Sequence, residues 1–314
     1  MSADAYTELL RALPADGASA LSVDAPLARC TSFRIGGPAD LLLAPTSVAM
    51  LAAALATAQR IGLPVTILGG GTNVLVSDRG VRGLVVRLGR AFDYRRWEIA
   101  DDASSAVVEA GASTRLAKLV SESVQRGFGG IEFAAGIPGS VGGGALMNAG
   151  AFGGELADVV ESVEGVDGRG EMCRIPRDAL RFGYRFFDLP RGFVVTHLGL
   201  LLQRGDPQAI AAQRDSAKRR RESRQPVGYP NAGSIFKNPP GSFAGHLIEA
   251  AGLKGLRHGG AMVSDQHANF IVNTGGATAT DVCALMREVT QRVLATAGVR
   301  LEPEIKLVGE WGTP

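Results

Sequence analysis

Three cysteines in 314 residues, Cys30, Cys173 and Cys283, are too few and too far apart for a disulfide framework, and no CxxC pair offers a zinc site. The four histidines, His197, His246, His258 and His267, lack HExxH spacing, and the acids do not cluster as ligands, so no metal is expected. The net charge is only +2, and basic residues gather only at Lys218–Arg224, so nucleic acid is not expected as a partner. Lysine is scarce beside arginine, 5 against 28, which reads as a base-composition bias without functional content. The opening MSADAYTELLRAL lacks the basic-then-apolar order of a signal peptide. Leu41–Ala58 is an uncharged run long enough to span a bilayer, but it contains Pro45, Thr46 and Ser47 and is rich in alanine. Thr46 is expected as the N-cap of a buried helix reaching about Arg60. A soluble, cytoplasmic chain off the membrane is expected.

What the chain does have is glycine, 42 residues, close to twice the usual ~7%. Glycine weakens helices and strands, so a surplus marks tight turns or backbone that approaches a ligand. Hydrophobic residues at 46% and a length of 314 suit two or three domains around a substantial core. Helix and strand patterns alternate from Ala5 to Leu68, and short apolar runs follow at Val74–Val76, Leu84–Arg87 and Ala106–Ala110. Arg115–Arg126 reads as a helix with a Leu116, Leu119, Val120, Val124 stripe. Strands are predicted at Val159–Val166 and Phe193–Gln203, and a polar linker helix within Arg204–Arg224. Helices at Ala244–Ala251 and Ala279–Ala297 flank strands at Ala261–Val263 and Asn269–Asn273, and Thr278 is expected to cap the longer helix. The closing LEPEIKLVG reads as a short strand.

Two glycine-rich stretches carry the functional signal. The first, LGGGTNVLVSD (Leu68–Asp78), follows an apolar strand directly. Gly69, Gly70 and Gly71 remove every Cβ where a ligand could meet backbone N–H groups, and Thr72, Asn73 and Ser77 add polar side chains. Such a nest suits a pyrophosphate. The G-x-G-x-x-G fingerprint is absent, and no helix pattern follows, so a nicotinamide-type Rossmann site is not expected there. The second, GIPGSVGGGALMNAGAFGG, holds eight glycines in nineteen positions, Gly136–Gly154. Its apolar members, Ile137, Pro138, Val141, Leu146 and Met147, suggest partial burial against a planar ring. Two such loops point to a long, two-ended ligand such as FAD. No histidine lies in either, which excludes covalent flavin attachment through one.

These blocks carry a resemblance. TSFRIGGPADLLLAP, LGGGTNVLVSDRG, GIEFAAGIPGSVGG, FGYR, GYPNAGSIFKNP, VSDQHANFIVN and LEPEIKLVG stand in the order of the UDP-N-acetylenolpyruvoylglucosamine reductase family. The chain resembles its type II branch, since the Arg185–Ser234 interval leaves little room for an inserted tyrosine-bearing loop. The resemblance implies an α+β fold: a two-part FAD-binding region of the FAD-linked oxidase type, residues 1–85 and 86–205, then a substrate-binding domain at 206–314. It implies FAD and NADPH as cofactors, UDP-N-acetylglucosamine enolpyruvate as substrate, a place in peptidoglycan precursor synthesis and no obligate protein partner. Gly69, Gly70, Gly71, Thr72, Asn73, Ser77, Gly136, Ile137, Pro138, Gly139, Ser140 and Gly143 would hold FAD. Phe186–Phe187 stand where a more polar continuation is expected, and Gly144 and Leu146 make the second loop less bulky; both are compatible with flavin packing.

The resemblance also assigns roles. Arg185 would meet the substrate carboxylate, because a guanidinium stays charged and can grip it bidentately. Ser234 matches the family's proton donor; it sits in a run of turn formers, Pro230, Asn231, Gly233 and Pro239, so the segment reads as a turn that presents it. Glu304 matches the catalytic glutamate, positioning substrate or relaying the proton, while Glu302 is expected to face elsewhere. Tyr184, Lys237, Asn238 and His267 are the remaining substrate-site candidates. For His267 and Asn269 a role in the core is an equal reading. A flavin oxidase acting on another alcohol, or a non-catalytic UDP-sugar-binding flavoprotein, has no reason to carry Arg185, Ser234 and Glu304 together.

Overall fold

A computed structural model describes residues 3–226 and 228–311. The fold is α+β, and the chain divides into two compact units built from interleaved segments. The first comprises residues 1–23, 41–70 and 83–221, the second 24–40, 71–82 and 222–314. The chain therefore passes between them inside the first glycine triplet, after Gly70.

In the first unit the apolar run of Val194–Arg204 is the central strand. It pairs antiparallel with Val160–Val166 on one side and Ser105–Gly111 on the other. The register sets Leu198 opposite Ala110 and Val163, and Leu200 opposite Val108. All five side chains are fully buried, and Leu116, Leu119 and Val120 of the helix Leu116–Arg126 join the same core. Each such leucine or valine removed from water contributes roughly 1.5–3 kcal/mol. A second core in this unit packs the helix Val48–Arg60, through Met50, Leu51, Ala54 and Leu55, with Leu9, Leu41, Leu43, Leu84 and Val86. Two capping details differ from expectation. Ser47 caps this helix by accepting from the Met50 N–H at 3.1 Å. Thr46 donates instead to the Asp16 carboxylate at 2.6 Å. Among the described residues no helix is long and apolar enough to cross a membrane.

The second glycine stretch is not all loop. Val141–Leu146 is a helix, capped at Ser140, whose hydroxyl accepts from the Gly143 N–H at 3.3 Å. Three glycines form a helix here because the site is too tight for anything larger. A Cβ on Gly142 would stand 2.8 Å from that of Ala112, and one on Gly144 would stand 3.1 Å from Leu116 and Leu156. Packing outweighs the intrinsic helix penalty of glycine, about 1 kcal/mol each.

The second unit gathers the helices Ala244–Ala250 and Ala279–Ala297 around Phe33, Ile35, Leu75, Ile235, Phe236 and Ile271. Its three-stranded sheet runs Arg257–His258, Ala261–Val263, Ile271–Asn273. The last of these starts two residues later than predicted, because the Asn269 main chain bonds outside the sheet, its N–H to His267 Nδ1 and its carbonyl to the Ile235 N–H. Val74–Val76, just past the first glycine loop, pairs in parallel with Lys306–Val308. Thr278 and Asp281 form the expected capping box at the start of Ala279–Ala297. Asp78 adds a cap from outside the helix, accepting from the Ala279 N–H at 2.7 Å, the Thr280 N–H at 2.9 Å and the Thr280 hydroxyl at 2.7 Å. An anion at a helix N-terminus gains from both the free N–H groups and the macrodipole. Asp78→Ala is therefore expected to lower the stability of the protein by about 1–2 kcal/mol, read as a drop in the urea midpoint, with Asp78→Asn intermediate.

Candidate active site

The flavin-loop residues fall on both units. In the first, Gly69 and Gly70 lie against the second glycine stretch, backbone on backbone. A Cβ on Gly70 would stand 3.0 Å from Gly139 Cα and 3.3 Å from Ser140 N, and one on Gly69 would stand 3.4 Å from the Ser140 hydroxyl and 3.7 Å from Gly143 Cα. Two bare main chains thus lie side by side, a surface that fits the flat ring and the polar diphosphate of a flavin dinucleotide. Gly136 adjoins them, with the Arg221 side chain 3.0 Å from where its Cβ would be.

Arg221 and Arg185 lie near one another in this unit. Burial, and after it the charge of Arg185, push the Arg221 guanidinium toward losing its proton, though a guanidinium retains it at any working pH. Its Nε is buried and has no hydrogen-bond partner among the described residues. Like charges held together around a buried donor fit an anionic group. Arg221 sits in the Lys218–Arg224 run, where the sequence shows only a basic helix; its burial is what sets it apart. Arg185 occupies the two-residue turn of the hairpin Arg181–Gly183 and Phe186–Asp188, at a φ of +57°. Tyr184 beside it is exposed, with the Arg185 guanidinium 5.1 Å from its ring. Phe182 and Phe187 stack at 4.1 Å and hold the two strands of this hairpin together.

In the second unit two paired segments bring Ser234 near Glu304 and set Lys237 opposite Glu302. Residues 235–237 run antiparallel to 302–304: the Glu304 N–H donates to the Ile235 carbonyl at 2.8 Å, and the Lys237 N–H to that of Glu302 at 2.8 Å. Ser234 therefore lies one step along the register from Glu304. Glu302 makes an exposed 3.4 Å pair with Lys237, which lies opposite it in the register. Asn73 ties the first glycine loop to this pair of segments. Its amide donates to the Glu304 carbonyl at 3.3 Å, and its own carbonyl accepts from the Lys306 N–H at 3.0 Å. Ser77 is buried and donates to the Glu310 carbonyl at 2.5 Å, while Asn238 caps the helix Ala244–Ala250, accepting from the Ala244 N–H at 3.1 Å. Gly71 turns at a φ of +66°, with the Cys30 carbonyl only 2.0 Å from where a Cβ would stand.

Asn269 completes this scaffold. Its side chain accepts from the Phe236 N–H at 3.0 Å and donates to the Phe236 carbonyl at 2.8 Å, as a neighbouring strand would, and its carbonyl accepts from the Ile235 N–H at 2.9 Å. His267 sits two residues away, its Nδ1 accepting from the Asn269 N–H at 3.2 Å, its ring against Phe270. Burial lowers the His267 pKa from the ordinary 6.5.

Known proteins decide what this arrangement belongs to. Residues 39–176 match the FAD binding domain family, and residues 225–308 match the C-terminal domain of UDP-N-acetylenolpyruvoylglucosamine reductase. The reductase of that name from Heliobacterium modesticaldum is 45% identical over 91% of this chain and 90% of its own length. That from Anaeromyxobacter sp. (strain Fw109-5) is 49% identical over 92% and 88%. The crystal structure of the Thermus caldophilus reductase superposes with a TM-score of 0.77 at 38% identity, covering 92% of this chain and 98% of that one. The chain belongs to the UDP-N-acetylenolpyruvoylglucosamine reductase family. As a member of that family it is an FAD-containing oxidoreductase, and the paired glycine stretches lie within the matched FAD-binding region.

Two outcomes follow from this geometry. Gly70→Ala forces a Cβ onto the Gly139 backbone, so the purified protein should carry less FAD per chain than wild type, measured by visible absorbance against protein concentration. His267 is held neutral by burial, so its contribution to stability is present above the unfolded imidazole pKa of about 6.5 and is lost as the pH falls through the lower folded value. His267→Gln should therefore flatten the loss of urea midpoint as the pH falls from about 6.5 toward that lower value.

Proposed function

We propose that the chain reduces the enolpyruvyl ether of UDP-N-acetylglucosamine enolpyruvate to UDP-N-acetylmuramate, and that Arg185, Ser234 and Glu304 carry the polar part of the reaction. The reduction itself is the family's, supplying peptidoglycan precursors. The observation that carries the residue assignment is the backbone pairing that sets Ser234 one register step from Glu304. When bound, FAD supplies the hydride that NADPH has first delivered to it. The residues 69–73 and 136–143 are the ones that would hold it, with the bare Gly70 and Gly139 main chains against its surface.

The methylene carbon of the enolpyruvyl group accepts the hydride, and negative charge develops on the neighbouring carbon and spreads into the carboxylate. Arg185 meets that carboxylate, where a fixed cation acts most strongly as charge builds up. Ser234 delivers the proton to the carbon that bears the ether oxygen, leaving the lactyl ether. A serine hydroxyl is a weak acid, so its proton must be replaced as it leaves. Glu304, one register step away in the paired segment, is the carboxyl for that relay, and Lys237 is a substrate-side cation for the alkoxide or the diphosphate. Tyr184, Asn238 and His267 complete the substrate side; for Asn238 this is indirect, through the helix cap it makes.

The three-part organisation of 1–85, 86–205 and 206–314 draws on three apolar cores that lie mainly one in each part, although Phe33, Ile35 and Leu75 join the C-terminal core and Val166 and Val194 join the first. A cytoplasmic setting follows from the nucleotide-linked precursor the enzyme would use.

Anaerobic half-reactions test the assignment. NADPH should bleach the yellow protein, and the enolpyruvyl UDP-sugar should restore its colour; bleaching without recovery would overturn the proposed substrate. Ser234→Ala should leave the NADPH half-reaction intact and slow the second by roughly 10²–10⁴-fold, the usual loss on removing a general acid.

A further inference from the structure

Arg185 needs an anchor. It stands in a left-handed backbone conformation that non-glycine residues rarely adopt, on a two-residue turn, with the like charge of Arg221 nearby. Strain and repulsion both act to move it. The side chain that reaches this turn from the second glycine stretch is Asn148, immediately beyond the helix Val141–Leu146.

Asn148 is 1% exposed, and both ends of its amide are engaged. Nδ2 donates to the Gly183 carbonyl at 3.2 Å, one residue before Tyr184–Arg185. Oδ1 accepts from the Ala157 N–H at 3.0 Å, in the short 3₁₀ turn Leu156–Asp158. Its own backbone takes a φ of +40°, and its N–H donates to the Ala145 carbonyl at 2.8 Å, closing the helix. The position asks for three things at once: tolerance of a left-handed φ, a donor toward Gly183 and an acceptor toward Ala157. Asparagine tolerates that conformation better than other non-glycine residues and carries both groups on one short side chain. Aspartate keeps the shape and the acceptor but loses the donor.

We propose that Asn148 is the positioning residue for Arg185, fixing the Gly183–Arg185 turn to the end of the flavin-side helix so that the cation is placed for the substrate carboxylate. This rests on the reading of Arg185 as the carboxylate-binding cation. Through Asn148 the Arg185 turn and the Gly142–Gly144 helix share one rigid connection. A buried amide with both groups satisfied on backbone holds its partners more stiffly than a surface contact does.

The holoenzyme with Asn148→Asp tests it. The flavin spectrum and the rate of bleaching by NADPH should stay within about twofold of wild type, while reoxidation by the enolpyruvyl UDP-sugar slows by about 10²-fold, the scale of an ångström-sized misplacement. Asn148→Gly, which accepts the backbone conformation and lacks the amide, should slow the same half-reaction. The defining measurement combines Asn148→Asp with Arg185→Ala: if Asn148 acts through Arg185, the double variant reoxidises no more slowly than Arg185→Ala alone. Additive losses in the double variant, or loss of flavin from both Asn148 variants, would overturn the proposal. If Arg185→Ala itself reoxidises at the wild-type rate, it is the role of Arg185 that fails, and that outcome removes the ground for the proposal as well.

Discussion

Everything in the flavin-side unit depends on how closely the Gly69–Gly70 main chain approaches Gly139–Gly143. At 3.0 Å from a hypothetical Cβ to the next backbone, no side chain other than hydrogen fits on Gly70 without moving its neighbour. The same economy runs through the helix that follows, where Gly142 and Gly144 let Ala112, Leu116 and Leu156 close in. Glycine lends no stability of its own here. It permits a contact distance, and the surrounding leucines and valines, buried in one continuous core, supply the free energy that holds the bare backbones in place.

A second device recurs once in each unit. Asn148 and Asn269 each place a primary amide on a main-chain carbonyl and a main-chain N–H, Asn148 on those of Gly183 and Ala157 and Asn269 on both groups of Phe236. An unpaired backbone group in such a buried place would cost about 1–3 kcal/mol, so the amide both stabilises the fold and fixes the segment beside it. In one unit that segment leads to Arg185, in the other to Ser234. Rigid support next to a reactive group, supplied by a residue that never touches the reacting atoms, is a common requirement for preorganised sites.

Most of the periodic elements were legible in the sequence. The helix Ala279–Ala297 with its Thr278 cap, the strand Val74–Val76 and the long apolar strand ending near Arg204 follow directly from hydrophobic spacing and capping chemistry. The helix Val141–Leu146 was not, because propensity argues against three glycines in six residues, and only tertiary packing reverses that. The glycine stretches announced a ligand but not how their polar residues divide the work. Asn73 and Ser77 read alike as ligand donors in sequence, yet their side chains bind the Glu304 and Glu310 carbonyls, and Asp78, inconspicuous in the sequence, caps the start of a distant helix. Arg221 and Asn148 were silent for a similar reason: burial and partnership are properties of the fold, and neither leaves a mark on local spacing.

The bond from Asn73 to Glu304 spans 231 positions, and the parallel pairing of Val74–Val76 with Lys306–Val308 spans a comparable stretch. This has a consequence for how the molecule comes into being. On a ribosome the Val74–Val76 edge emerges long before its partner exists, and a parallel edge of this kind cannot be closed by any local turn. Pairings so remote in sequence are slow to find and leave an open strand meanwhile. Maturation of the second unit thus waits until Lys306–Val308 has been made, and a chain lacking that segment forfeits the strand that Val74–Val76 is built to receive.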